Sequence, residues 1–218
     1  MPLFRKKAFR VFEAGAGEVP FGIVGQAIKA DRRGLNREFI AVDTALNTNE
    51  TLRQRGLRKA PKNLKLVKNC AVAEMKKLPK ASQDIVFASF FLNNYCRKEG
   101  KEKWNMRFLE YLMDAKRALK PNGRIIIIQN HVGAENYANL AIQAGLKATI
   151  LKLPLEMIER STAENIEKRA TLMGRRKTVK RDVGDDFLYF QKLVDFAKKH
   201  NLKDVSDGFW PAAIIIRK

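Results

Sequence analysis

The run "RIIIIQ" at 124–129 constrains this chain more than any other stretch. Four consecutive isoleucines leave no polar face, so a strand there belongs at the centre of a parallel sheet, buried on both sides. Such a strand needs helices above and below it, and the sequence supplies them by alternation. "RVFEAG" (10–15) reads as a buried strand, and Phe21, Val24 and Ile28 then fall on one face of a helix. "EFIAVD" (38–43), "LKLVKNCAV" (64–72) and "QDIVFASFF" (83–91) are expected as the next strands. A helix over 104–119 sets Phe108, Leu112, Ala115 and Leu119 on one side, and "PNG" (121–123) turns the chain into the isoleucine run. A helix over 135–144 closed by Gly145 and a strand "LKATILKL" (146–153) follow. The expected fold is α/β, a doubly wound, mostly parallel sheet in a single domain over 1–218.

Beyond Pro154 the alternation stops. Ser161 to Glu164 has the spacing of a capping box, starting a helix that Gly174 stops. Asp185 suits the cap of a second helix, with Phe187, Phe190, Val194 and Ala197 along one face. "FWPAAIIIRK" (209–218) then supplies the last strand, which makes 155–208 a helical, partly basic insertion. No apolar run reaches the roughly 20 residues of a membrane span, and "MPLFRKKAF" lacks the apolar core of a signal peptide. Cys70 and Cys96 show neither metal-ligand spacing nor a disulfide framework. A soluble, cytoplasmic protein without a structural metal is the expectation; the sequence leaves its oligomeric state open.

Charge narrows the partners. Lys and Arg number 43 against 23 Asp and Glu, for a net charge of +20. A field of that sign attracts polyanions through phosphate contacts whatever the fold. From Thr51 to Lys80 there are ten basic residues and one acidic, Glu74; "GRRKTVKR" (174–181) places Arg175, Arg176, Lys177, Lys180 and Arg181 within eight residues. Such runs either bind phosphates or form solvated faces.

The chemistry gathers after the first strand. Gly15 and Gly17 let the backbone approach a ligand closely and leave helix-start N–H groups free. A dinucleotide fingerprint would want glycine or alanine where Pro20 stands, so a pyrophosphate is disfavoured. Asp43 ends the second strand, where a carboxylate accepts hydrogen bonds from both hydroxyls of a ribose. Each residue also has a plainer reading: Glu13 pairing with a lysine, the glycines an ordinary turn, Asp43 a turn or cap residue.

Taken in order, these landmarks resemble the class I S-adenosylmethionine-dependent methyltransferases, with their Rossmann-like fold. "FEAGAG" resembles that family's acidic-x-Gly-x-Gly motif and "FIAVD" its ribose-binding strand end. "AEMKKLP" is similar to its Asp-Ala-x-x-Leu-Pro stretch, "DIVFASFFLNN" to its fourth-strand motif, and "AKRALKPNGRIIII" to its Leu-Lys-Pro-Gly-Gly turn. The resemblance covers roughly residues 10 to 153 and the final strand. It implies seven strands, the last antiparallel, and S-adenosylmethionine as cofactor. Glu13, Gly15, Gly17, Asp43, Glu74, Met75, Ser89 and Phe90 would then contact it, Glu74 at the adenine amino group and Met75 through its backbone N–H. This sequence departs from the pattern at Val19, at Asn122 (a residue that tolerates left-handed backbone) and in a long spacing from Gly17 to Asp43.

Methyl transfer is an in-line displacement that needs mainly alignment, so no fixed catalytic residue is implied. Asn93, Asn94 and Tyr95 after the fourth strand could orient a planar acceptor, and His131 after the fifth is a candidate base. Each also has a structural reading, as cap or loop residue. Sequence segments around the third to fifth strands faintly resemble tRNA guanine-N7 methyltransferases, without their Pro-Asp-Pro-Trp signature. The expectation is a methyltransferase acting on RNA, either tRNA or rRNA. A small-molecule methyltransferase and a non-catalytic RNA-binding protein of the same fold are the alternatives.

Overall fold

The isoleucine run lies inside a seven-stranded sheet, paired with a neighbour on either side. The computed structural model describes residues 8–17, 20–89, 101–154, 198–199 and 211–218. In chain order the elements are β1 (Phe9–Ala14), α1 (Phe21–Arg32), β2 (Arg37–Asp43), α2 (Thr48–Gln54), β3 (Leu64–Lys68) and α3 (Ala71–Lys77). They continue with β4 (Gln83–Ser89), α4 (Lys101–Ala118), β5 (Leu119–Asn130), α5 (His131–Gln143), β6 (Lys147–Lys152) and β7 (Pro211–Arg217). The strand order is β3-β2-β1-β4-β5-β7-β6. β1 to β5 run parallel, and β7 is antiparallel to both β5 and β6. This is the doubly wound sheet with an antiparallel last strand that the sequence led us to expect. Strand order reverses between β1 and β4, and ligands of such sheets bind outside the carboxyl ends at that point.

Alternation along the strands divides the core between the two faces. Phe12, Ala14, Val42, Val86 and Ala88 pack with Met75, Phe108, Tyr111, Leu112 and Tyr137. Phe39, Ala41 and Leu64 pack with Ile23, Val24 and Ala27 of α1 on the other face. Asp84 ties the amino ends of three strands, its Oδ2 accepting from the Arg10 N–H at 2.7 Å and from Lys120 Nζ at 2.5 Å. Arg117 reaches from α4 to the carbonyls of Leu78, Lys76 and Met75 at 2.6, 2.9 and 3.2 Å and so fixes the end of α3.

Several boundaries differ from the sequence expectation, each for a local reason. β3 stops at Lys68 because Asn69 turns the chain: its N–H donates to the Asp43 carbonyl and its Oδ1 accepts from the Cys70 N–H. Val72 therefore belongs to α3. Both α2 and α3 are seven residues long, about two turns, too short for periodicity to announce them. The helix expected over 135–144 starts earlier, at His131, directly after β5. Lys120 to Gly123 is a bulge within β5 rather than a separate turn, since Gln83 faces Leu119 while Ile85 faces Arg124. A Cβ on Gly123 would lie 2.9 Å from Leu119 Cδ2 and 3.0 Å from the Gln83 carbonyl oxygen, so the glycine is required by crowding. Asn122 is not left-handed; among described non-glycine residues only Ala81 has positive φ.

The expected insertion over 155–208 lies outside the described residues, apart from Lys198 and Lys199, which are helical. Among the described residues no helix is long and apolar enough to cross a membrane.

Candidate functional site

Parallel register brings the carboxyl ends of β1, β2, β3, β4 and β5 to one side of the sheet. There the turn after β1 is left-handed at both glycines, with φ of 68° at Gly15 and 79° at Gly17. Side chains rarely adopt that backbone, which accounts for glycine at both positions. The turn is fastened to β2: Gly15 and Ala16 donate to the Val42 carbonyl at 2.9 and 3.2 Å, and Gly17 donates to Asp43 Oδ2 at 2.9 Å. Above Gly17 the space is open, with nothing within 4 Å of an added Cβ.

Asp43 has a double task. Oδ2 holds the Gly17 N–H, and Oδ1 accepts from the Ala45 N–H at 2.7 Å. The plain reading of a strand-end aspartate as a turn residue is thus realised. Each oxygen keeps a second lone pair, so the ligand role expected for Asp43 is compatible with the clamp.

Glu13 differs. It stands on the α1 side of β1, alternating with the inward Phe12 and Ala14 of the other face. Its Oε2 is buried and has no hydrogen-bond partner among the described residues. Burial raises its pKa to about 7, because a carboxylate without a compensating charge is disfavoured away from water. Close by in the chain, α1 begins after Pro20 with no side-chain cap and no acid in its first turn. An uncapped helix start favours an anion, and a lone buried carboxylate favours a cation.

Beside β3 the structure redistributes the expected roles. Glu74 Oε1 accepts from Asn69 Nδ2 and from Lys77 Nζ, both at 2.6 Å. The Lys77 bond chiefly, helped by Asn69, holds its carboxyl below the usual range. Met75 is fully buried in the core as the fifth residue of α3. Asn69 went unnoticed in the sequence, yet it links Asp43, Cys70 and Glu74 at the strand's carboxyl end. Its signal was an asparagine just after the strand and one residue before the helix N-cap Cys70, a place where asparagine favours a turn.

Ser89 ends β4 and His131 opens α5, which brings the backbone of both to the same side of the sheet as Gly15 and Asp43. Phe90, Asn93, Asn94 and Tyr95 lie outside the described residues, as do Arg175, Arg176, Lys177, Lys180 and Arg181. A groove of about 530 Å³ opens elsewhere, between α3 and α4, lined by Lys76, Met106, Leu109, Glu110, Met113 and Asp114. None of its residues belongs to the arrangement around Asp43.

No protein-family model matches the chain, and no curated protein matches it in sequence. Solved structures do match. A SAM-dependent methyltransferase from Archaeoglobus fulgidus is 18% identical, covering 98% of this chain and 87% of its own, with a TM-score of 0.48. One from Aquifex aeolicus is 18% identical, covering 68% of this chain and 78% of its own, at 0.46. The YcgJ protein of Bacillus subtilis is 15% identical, covering 98% and 94%, at 0.47. The fold assignment for this chain rests on its own strand order and antiparallel β7.

Proposed function

We propose that the protein is an S-adenosylmethionine-dependent methyltransferase acting on RNA, with tRNA or rRNA as the substrate class. One observation carries the cofactor: Glu13 Oε2, buried and without a hydrogen-bond partner among the described residues, beside a turn left-handed at both glycines. The uncapped start of α1 supports it from the opposite charge. Together they match the two charges of an amino-acid end, the ammonium toward Glu13 and the carboxylate toward the helix start. Asp43 would take the ribose hydroxyls through its remaining lone pairs, held in place by the Gly17 and Ala45 N–H groups.

S-adenosylmethionine, when bound, supplies an electrophilic methyl group on a sulfonium. The chain's contribution is to bind and align it: the fastened turn fixes the approach, and burial around Glu13 excludes water from the ion pair. Orientation of the acceptor is assigned to Asn93, Asn94 and Tyr95, with His131 as the candidate base.

RNA is favoured as acceptor by the net charge of +20 and its concentration in runs free of acidic residues. The test is transfer of labelled methyl from the cofactor to total RNA, with Asp43→Ala as control. Label in RNA that disappears in the variant is the expected outcome. Cofactor binding without labelled RNA would move the assignment to a small-molecule acceptor. RNA binding with no cofactor binding at all would leave a non-catalytic RNA-binding protein.

A further inference from the structure

The edge of the sheet at β3 carries a run of charge that the cofactor site does not use. Between Glu50 and Glu74 there is no acidic residue, while Arg53, Arg55, Arg58, Lys59, Lys62, Lys65 and Lys68 are basic. Arg53 is taken by Glu50 at 2.6 Å. Arg58, Lys59, Lys62, Lys65 and Lys68 are all exposed and form no ion pair among the described residues. Lys65 feels the charge of Glu74, but that carboxylate is already bonded to Lys77 and Asn69. Arg10 pairs with Glu38, Lys120 with Asp84 and Arg117 with Asp114. Other exposed cations such as Arg32, Arg33, Lys80 and Arg124 also form no ion pair among the described residues. What sets the β3 edge apart is five of them between Arg58 and Lys68 with no acidic residue between.

The segment that presents these cations is held at both ends. Gly56, at φ 63°, closes α2, with Leu57 donating back to the Leu52 carbonyl at 2.9 Å. Asn63 anchors the far end, its Nδ2 donating to the Ala27 carbonyl at 3.1 Å and its carbonyl accepting from the Phe39 N–H at 2.8 Å. From there β3 runs along the open edge to Lys68, in register with Asp43. The cations therefore line the sheet edge from the loop near the amino ends of the strands to Lys68 beside the candidate cofactor site, with Lys65 and Lys68 directed to opposite faces of β3. Like charges so arranged repel one another, and lysines on an edge strand also discourage strand pairing. That second role accounts for Lys65 and Lys68, and leaves Arg58, Lys59 and Lys62 of the preceding loop without explanation.

We infer that this edge is a phosphate-tracking surface that leads RNA to the acceptor position, an inference that rests on the RNA-methyltransferase reading above. An RNA backbone fits better than a membrane or an acidic protein. Leu64 is buried, and Leu57, Leu66 and Val67 are not fully exposed, so the track offers no apolar side chain for insertion into lipid. It also lacks the aromatic anchor of a protein interface. Evenly spread cations without apolar anchors suit a flexible polyanion, which is positioned by charge alone.

The test compares RNA affinity as salt is varied, using a fluorescent single-stranded RNA and the full chain. The variant Arg58→Gln, Lys59→Gln, Lys62→Gln, Lys65→Gln, Lys68→Gln changes only exposed side chains. Its log–log salt slope should fall by up to about 3.5, since each phosphate contact on a single strand contributes roughly 0.7. A first control neutralises Lys147 and Lys152 of β6, at the opposite edge of the same sheet, and should change the slope far less. An unchanged slope in the fivefold variant, or a loss per charge just as large in the β6 control, would overturn the inference. So would tighter binding to polyglutamate or to phosphatidylserine vesicles than to RNA. Cofactor titration of the same variant should match the unsubstituted protein; if neither protein binds cofactor, the methyltransferase reading fails while the salt slope still decides the track.

Discussion

The carboxyl ends of β1 and β2 and the edge at β3 lie side by side, yet they treat charge in opposite ways. At the first, Asp43 has both oxygens engaged by backbone N–H groups of two different turns, and Glu13 keeps a buried Oε2 with no partner among the described residues. At the second, five neighbouring cations face solvent with no ion pair among the described residues. A buried site with a single unmatched group can select a ligand of definite shape and charge. An exposed row of like charges selects only for polyanions and tolerates their movement. The contrast separates the recognition of a small cofactor from the capture of a large substrate within one sheet.

The largest effect should come from breaking the first region at Asp43. Removing the carboxylate strands two backbone N–H groups as well as any ligand contact, and bonds to a charged acceptor are worth about 1.5–3 kcal/mol each. Because Asp43 is partly exposed, about 2–4 kcal/mol of lost stability is expected for Asp43→Ala in urea unfolding. Asp43→Asn should lose less, since it keeps one acceptor oxygen. An alanine variant as stable as the unsubstituted protein would dissolve the clamp.

Glu13 comes next, and here pH gives the sign. Its pKa in the fold is about 7 against an ordinary 4.5, so the fold holds the extra proton between those values. The resulting stability is present below pH 4.5 and is lost as pH rises through 7; the shift corresponds to at most about 3 kcal/mol. Glu13→Gln should remove that pH dependence and be more stable than the unsubstituted protein above pH 7, while binding the cofactor more weakly. Identical pH profiles for the two would show that Glu13 is not the unmatched group.

Gly17→Ala sharpens the same region by a smaller amount. Nothing obstructs its Cβ, so only the left-handed backbone at φ 79° resists, at about 1–2 kcal/mol. Smallest of all is the edge: Lys65→Gln with Lys68→Gln should change stability by less than about 0.5 kcal/mol, because neither side chain forms an ion pair among the described residues. A large loss there would mean the edge is structural after all.

How much of this was legible in the sequence differs between the two regions as well. The alternation of apolar runs and helical spacing sufficed for the sheet, although of the four isoleucines Ile125 and Ile127 are buried while Ile126 and Ile128 are only partly so. The glycines and Asp43 were equally visible. Their mutual bond was not, since it joins residues 26 apart through tertiary contact. The same limit applies to Asn69, whose partners span β2 and α3. The basic run could be counted from sequence, but not its lack of ion pairs or its path along an open edge. Asn122 misled because the bulge in β5 is closed by crowding at Gly123 rather than by a left-handed residue.

Cofactor binding at this turn depends on Glu13 receiving the cationic end of the ligand. The direct measurement is calorimetric titration with S-adenosylmethionine at about pH 5.5 and about pH 7, where the ligand's own ammonium remains mostly charged. Each should be run in two buffers of different ionisation enthalpy. The expected result is one site, tighter binding at the higher pH, and proton release on binding at the lower. Absence of binding at both pH values would contradict the account, as would binding of equal strength with no proton exchanged.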